Sequence, residues 1–99
     1  RMVLTARYRK ALVDVAAAAA RAMVGASWRM TDQAVQIEVR AFLPDKRVRD
    51  VSNFAKLAGD ALSGYAYFDD VQIVESRFRK MGLDRDNPRV EITVTRAAA

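Results

Sequence analysis

The chain has 99 residues, which is enough for one domain, residues 1–99, built on a single core. Seventeen Lys and Arg against twelve Asp and Glu leave a net charge of +5, a balance that favours a polyanionic partner. Cysteine and histidine are both absent, which removes disulfides, thiolate metal sites, thiol catalysis and the usual general base, and leaves chemistry to carboxylates, Lys, Tyr, Ser or a bound metal.

Thr5 to Met23 reads as a helix with Thr5 at its N-cap, because Tyr8, Leu12, Val15, Ala19 and Met23 recur at steps of three and four. The alanine run from Ala16 to Ala20 suits a helix and allows close approach of a neighbour. Gly25 and Ser27 end it. Ala34 to Leu43 then alternates, with Val35, Ile37, Val39, Ala41 and Leu43 on one face, as a half-buried strand does. After Pro44 and a charged loop, a second helix is predicted from about Ser52 to Leu62, capped by Asp50 or Ser52. Phe54, Leu57, Ala58, Ala61 and Leu62 form its core stripe, while Asn53, Lys56 and Asp60 share a neighbouring line. Tyr65 to Phe68 is a short aromatic connection. Val71 to Lys80 and Arg89 to Thr95 are predicted strands, and the Gly82, Asp86, Asn87, Pro88 turn suggests that they pair as an antiparallel hairpin. The expected fold is therefore α+β, a small mixed sheet with two helices in the order α-β-α-β-β, with a right-handed β-α-β crossover through the second helix. No apolar run approaches the roughly 20 residues that cross a bilayer, and no leader-like block follows Arg1, so a soluble cytoplasmic protein without a membrane partner is expected.

Three aspartates stand out around the second helix: Asp50 before it, and the Asp69-Asp70 pair ahead of the next strand. Strand ends and a helix carrying Lys56 can bring such carboxylates to one sheet edge. Gathered carboxylates repel unless a cation holds them, and Mg²⁺ suits oxygen ligands. In so basic a chain the anion brought to that cation would be a nucleic-acid phosphate. Each part also has an ordinary explanation. Asp50 can simply cap a helix, Asp69-Asp70 can be a solvated turn, and Lys56 with Asp60 can be a surface pair worth about 0.3–0.5 kcal/mol.

Taken together, Pro44-Asp45-Lys46-Arg47, Arg49-Asp50, Asn53, Lys56, Asp60-Ala61-Leu62, Asp69-Asp70 and Gln72-Ile73 resemble, in order and spacing, the motif of the RusA family of Holliday-junction resolvases. That family is found in bacteria and their prophages. The resemblance implies a homodimeric, Mg²⁺-dependent endonuclease that resolves four-way DNA junctions by paired nicks in recombination and repair, with Mn²⁺ a substitute metal. It implies that Asp50, Asp70 and Asp69 are metal ligands, that Asp50, Asp70 and Lys56 are catalytic, and that a metal-activated water attacks the phosphate. Two departures qualify it. Ser52 stands where the family has a second Asp, which removes a charge and a strong ligand and raises the question of impaired cutting. The family's opening strand, with its Pro-Pro-Ser-x-Asn-like segment, is not found, so a sheet one strand short is expected.

Lys46, Arg47 and Arg49, and the group Arg77, Arg79 and Lys80, are candidate phosphate contacts, although charge runs are often only a solvated face. Tyr65, Tyr67 and Phe68 can stack on bases or close the core under a loop, and Phe68 is expected in the core. Trp28 is expected in packing or a dimer surface. Two other readings stay open: a non-cleaving protein of the same fold that grips branched DNA, and a small structural or assembly domain.

Overall fold

A computed structural model of the chain describes residues 1–7, 11–45 and 53–97. The strand alternation read between residues 34 and 43 forms β2 (Val35–Leu43), whose Val35, Ile37, Val39 and Ala41 are fully buried. β2 is hydrogen-bonded along both edges and is the axis of a four-stranded sheet. β1 (Met2–Arg7), β4 (Arg89–Arg96) and β3 (Ile73–Leu83) complete the sheet in the order β1-β4-β2-β3. β4 runs antiparallel to both β1 and β2, whereas β3 lies parallel to β2.

A parallel neighbour needs a crossover, and α2 (Asn53–Leu62) supplies it between β2 and β3. α1 (Ala11–Gly25) makes the corresponding connection from β1 to β2, and the two helices pack against each other and on the sheet. Val15, Ala18 and Ala19 of α1 and Ala58 and Leu62 of α2 meet Met2, Leu4, Val90, Ile92 and Val94 in one core. Small residues on the buried side of α1 let that helix sit close to the strands. The expected α+β fold, a small mixed sheet with two helices, is the one observed.

Two expectations about topology are corrected. Met2–Arg7 is a strand, so the sheet has its N-terminal member and the first helix begins at Ala11 instead of Thr5. Its alternation, with Met2, Leu4 and Ala6 buried, spans only six residues and runs straight into a helix-favouring alanine segment. An exposed Arg7–Asp14 ion pair at 2.9 Å ties the strand to the helix after it. Tyr8, read as part of the helix stripe, lies outside the described residues.

β3 and β4 do not form a hairpin. They flank β2 on opposite sides, and the Asp84–Pro88 segment arches over the end of β2. Strands two places apart in a sheet are about 10 Å from each other, which so short a segment can span. The arch is fastened at both ends. The Asp84 N–H donates to the Leu43 carbonyl at 2.8 Å, and the Arg89 guanidinium lies 3.8 Å over the Phe42 ring. Arg89 also bonds Asp84 at 2.7 Å and Glu91 at 2.8 Å. Hydrogen bonds from Arg89 and from the Asn87 N–H hold the Asp84 carboxyl below its usual range. That contribution is present at neutral pH and is lost as pH falls through the lowered value.

Candidate active site

The connection from α2 to β3 is built around one aromatic side chain. Tyr67 is fully buried, and its hydroxyl donates to the Gly59 carbonyl of α2 at 2.6 Å. Burial is the main reason its phenol is held above its ordinary pKa; the charges of Asp70 and Asp60 add to the effect. Gly64, at φ +86°, takes the left-handed turn that ends α2, and its N–H donates to the Tyr67 carbonyl at 2.7 Å. Ala66 beside it accepts twice, from the Thr31 N–H at 3.1 Å and from the Trp28 indole N–H at 3.0 Å. Trp28 is thus a packing residue within the chain, buried beneath this connection.

The Asp69-Asp70 pair opens the turn of 3-10 helix Asp70–Gln72. Asp69 is its N-cap in extended backbone, with Oδ1 accepting from the Val71 N–H at 3.0 Å. Gln72 closes the reciprocal half of the capping box. Its Oε1 accepts from the N–H groups of Phe68 at 2.8 Å and Asp69 at 2.9 Å. Its Nε2 donates to the carbonyls of Thr31 at 2.8 Å and Gln33 at 2.9 Å. One amide therefore makes four hydrogen bonds and fixes the acidic turn against the segment that leads into β2.

The two acidic groups share a hydrogen bond, and their affinities for a proton move apart. Asp69 falls below its usual value, chiefly because of the Val71 N–H and then because of its bond to Asp70. Asp70 rises, through the bond to Asp69 and that residue's charge, with Asp60 adding to the effect. Excess negative charge at an exposed edge is what a divalent cation relieves, so the donor set fits an oxygen-coordinated metal. Among the described residues, no three acidic groups assemble into a complete metal set. Asp50, the third expected ligand, lies outside the described residues, as do Ser52, Lys46, Arg47 and Arg49.

Lys56 and Asp60 stand exposed one helical turn apart on α2. The second basic group is divided by the pleat of its strand. Arg77 and Arg79 pair in register with Glu38 and Arg40 on the open face, while Lys80 pairs with Ala41 on the helix-covered face. Arg77 is ion-paired with Glu75, and Arg79 with Glu38 at 3.7 Å. Such exposed pairs are weak, and a phosphate can displace the glutamate.

Two residues of the sequence motif, Asp60 and Gln72, contribute more to the site than their place in that motif implies. The Asp69-x-x-Gln72 spacing is itself a capping-box signature, so the role of Gln72 was open to inference from the residues. Asp60 shares a helix line with Lys56, and its effect on Asp70 depends on tertiary packing that the sequence does not display.

A family model described as endodeoxyribonuclease RusA matches residues 1–95. The chain belongs to the RusA family. Crossover junction endodeoxyribonuclease RusA of Escherichia coli (strain K12) is 39% identical over 62 residues, covering 62% of this chain and 51% of the relative. The enzyme of the same name from Enterobacteria phage 82 is 37% identical over 62 residues, with the same coverage. This RusA-family chain spans about half the length of the curated relatives it matches. Among the described residues, no helix is long and apolar enough to cross a membrane.

Proposed function

We propose that the chain is a divalent-metal-dependent endodeoxyribonuclease that resolves four-way DNA junctions by paired nicking in recombination and repair. It would act as a homodimer in the cytoplasm of a bacterial or phage-infected cell. The observation that carries this reading is the capped Asp69-Asp70 turn, charge-coupled to Asp60 and held beside α2 in a RusA-family chain.

Asp70 and Asp50 would hold Mg²⁺ or Mn²⁺, with the Asp69 carboxylate as a further ligand. Bound there, the cation would polarise the scissile phosphate and acidify a water. Asp69, tied by Oδ1 to the Val71 N–H, sets the direction of the turn. Lys56 presents an ammonium group one turn from Asp60, suited to the charge that develops on non-bridging phosphate oxygens. Lys46, Arg47, Arg49, Lys80 and the displaceable Arg77 and Arg79 would grip the backbone. Two nicks of like polarity require two such sites, which is the role of the dimer.

The test is a synthetic four-way junction incubated with purified protein and Mg²⁺ or Mn²⁺. Symmetric nicks, with little cutting of plain duplex, are the expected result. A junction left intact under both metals, and not cut by Ser52→Asp either, would remove the enzyme reading. Ser52 favours one second reading, a protein that binds branched DNA without cutting it. Ser52→Asp separates the two, since it should raise a low cutting rate by restoring a ligand charge and should leave a pure binder inert.

Two further outcomes are expected. Lys56→Ala should lower the cutting rate about a hundredfold while weakening junction binding only slightly, as single-turnover kinetics would show. The acid limb of the pH–rate profile should lie above the ordinary aspartate range, because Asp70 must lose its raised proton to take a cation. Asp69→Asn removes the charge and the bond that raise it, so the limb should move to lower pH.

A further inference from the structure

Phe68 was expected in the core, yet Tyr67 fills that place and Phe68 is 57% exposed. Val71 at 80% and Val74 at 61% are exposed as well, so exposed apolar side chains occur on both sides of Asp70 along the chain. The neighbouring exposed aromatic, Tyr65, belongs to a different surface, a hollow of about 420 Å³ that it lines with Met23, Trp28 and Met30. A lone exposed apolar residue needs no explanation. Phe68 differs because its backbone is fixed on both sides. Its N–H donates to Gln72 Oε1 at 2.8 Å, and its carbonyl accepts from the Ser63 hydroxyl at 3.5 Å. The same Gln72 oxygen holds Asp69, so the ring and the acidic pair share one rigid mount.

Phe68 and Asp70 are two positions apart in the chain, which keeps their Cα atoms within about 7 Å of each other. With its backbone held that close to Asp70, the exposed ring can reach a base next to a phosphate held there. Along continuous duplex every base already has neighbours on both faces. At a branch point a terminal base pair presents an open apolar face, to which an aromatic side chain adds by stacking. We infer that Phe68 stacks on the exposed base pair at the branch and so sets the preference for branched over linear DNA.

This inference rests on the nuclease reading, and the experiment separates the two. Binding is measured without divalent metal for a junction and a matched duplex, with 2-aminopurine at the branch nucleotides. Phe68→Ala should weaken junction binding on the order of tenfold, leave duplex binding unchanged and abolish the 2-aminopurine response. Phe68→Trp should keep both the affinity and the response. Phe68→Leu, apolar but without a π-face, should behave like Phe68→Ala. Equal loss on junction and duplex, no loss on either, or an altered solution mass in Phe68→Ala would each overturn the stacking role. Wild-type protein with no junction preference would instead remove the nuclease reading beneath it. Circular dichroism checks that the variants fold, which the exposure of the ring favours.

Discussion

Asp70→Asn is expected to reduce junction cutting about a thousandfold while leaving junction binding in place. The amide keeps the size of the side chain but loses the charge, and it cannot replace a carboxylate facing a divalent ion. Stability should move the other way. Asp70 holds its proton more tightly in the folded chain than an ordinary aspartate does, because Asp69 and Asp60 stand beside it. A group with a raised folded pKa stabilises fully below its unfolded pKa, and that contribution is lost as pH rises through the folded value. At neutral pH the ionised group is therefore a net cost. Asp70→Asn removes it, so the melting temperature in metal-free buffer should rise even as cutting disappears. A lower melting temperature would mean that Asp70 supports the fold, and the loss of cutting would lose its mechanistic meaning. Adding Mg²⁺ should raise the melting temperature of the parent chain and do little for the variant.

Tyr67→Ala is expected to cost about 3–5 kcal/mol, the range for removing a large aromatic side chain from a packed core. A domain of this size has only about 5–15 kcal/mol in total, so the variant should be largely unfolded on modest heating or in low urea. The loss would come from two sources that Tyr67→Phe separates. Phenylalanine keeps the ring and removes the 2.6 Å bond to the Gly59 carbonyl, which should cost about 1 kcal/mol. Urea denaturation of both variants tests this, and a difference below about 1 kcal/mol between them would place the stabilising role in the hydroxyl. Because Tyr67 lies directly before the Phe68–Asp70 segment, the same cavity should loosen the acidic turn and depress cutting in whatever fraction still folds.

Much of this was legible from residues alone. β2 announced itself by nine residues of alternation, α2 by its apolar stripe, and β4 by Val90, Ile92 and Val94. The parallel pairing of β2 with β3 followed from the helix between them. What could not be read was which neighbour each strand takes. A short polar turn such as Asp84–Pro88 suits a hairpin as well as an arch, and the difference lies in Arg89, which bonds Asp84 and Glu91 close by and also covers Phe42, distant in sequence on β2. β1 was hidden by brevity and by the strong helix propensity of the alanines after it. Likewise, Tyr67 and Phe68 are adjacent aromatics of which Phe68 is the more apolar, and the bond to Gly59 and the reach of Gln72 reverse the order that hydrophobicity alone suggests. The Asp69-Asp70 pair was found by motif, and its coupling to Asp60 became visible only once α2 was placed.

Trp28 is the only tryptophan in the chain. Its indole N–H is bonded to the Ala66 carbonyl, and Arg96 lies 4.8 Å over its ring. Nature has thereby installed an optical gauge at the base of the acidic turn. Excited selectively, that indole should emit at short wavelength while Ala66 stays docked, and should shift to the red when the connection lifts away and water reaches the ring. Stopped-flow mixing with branched DNA could then time any opening of this connection in the unlabelled protein.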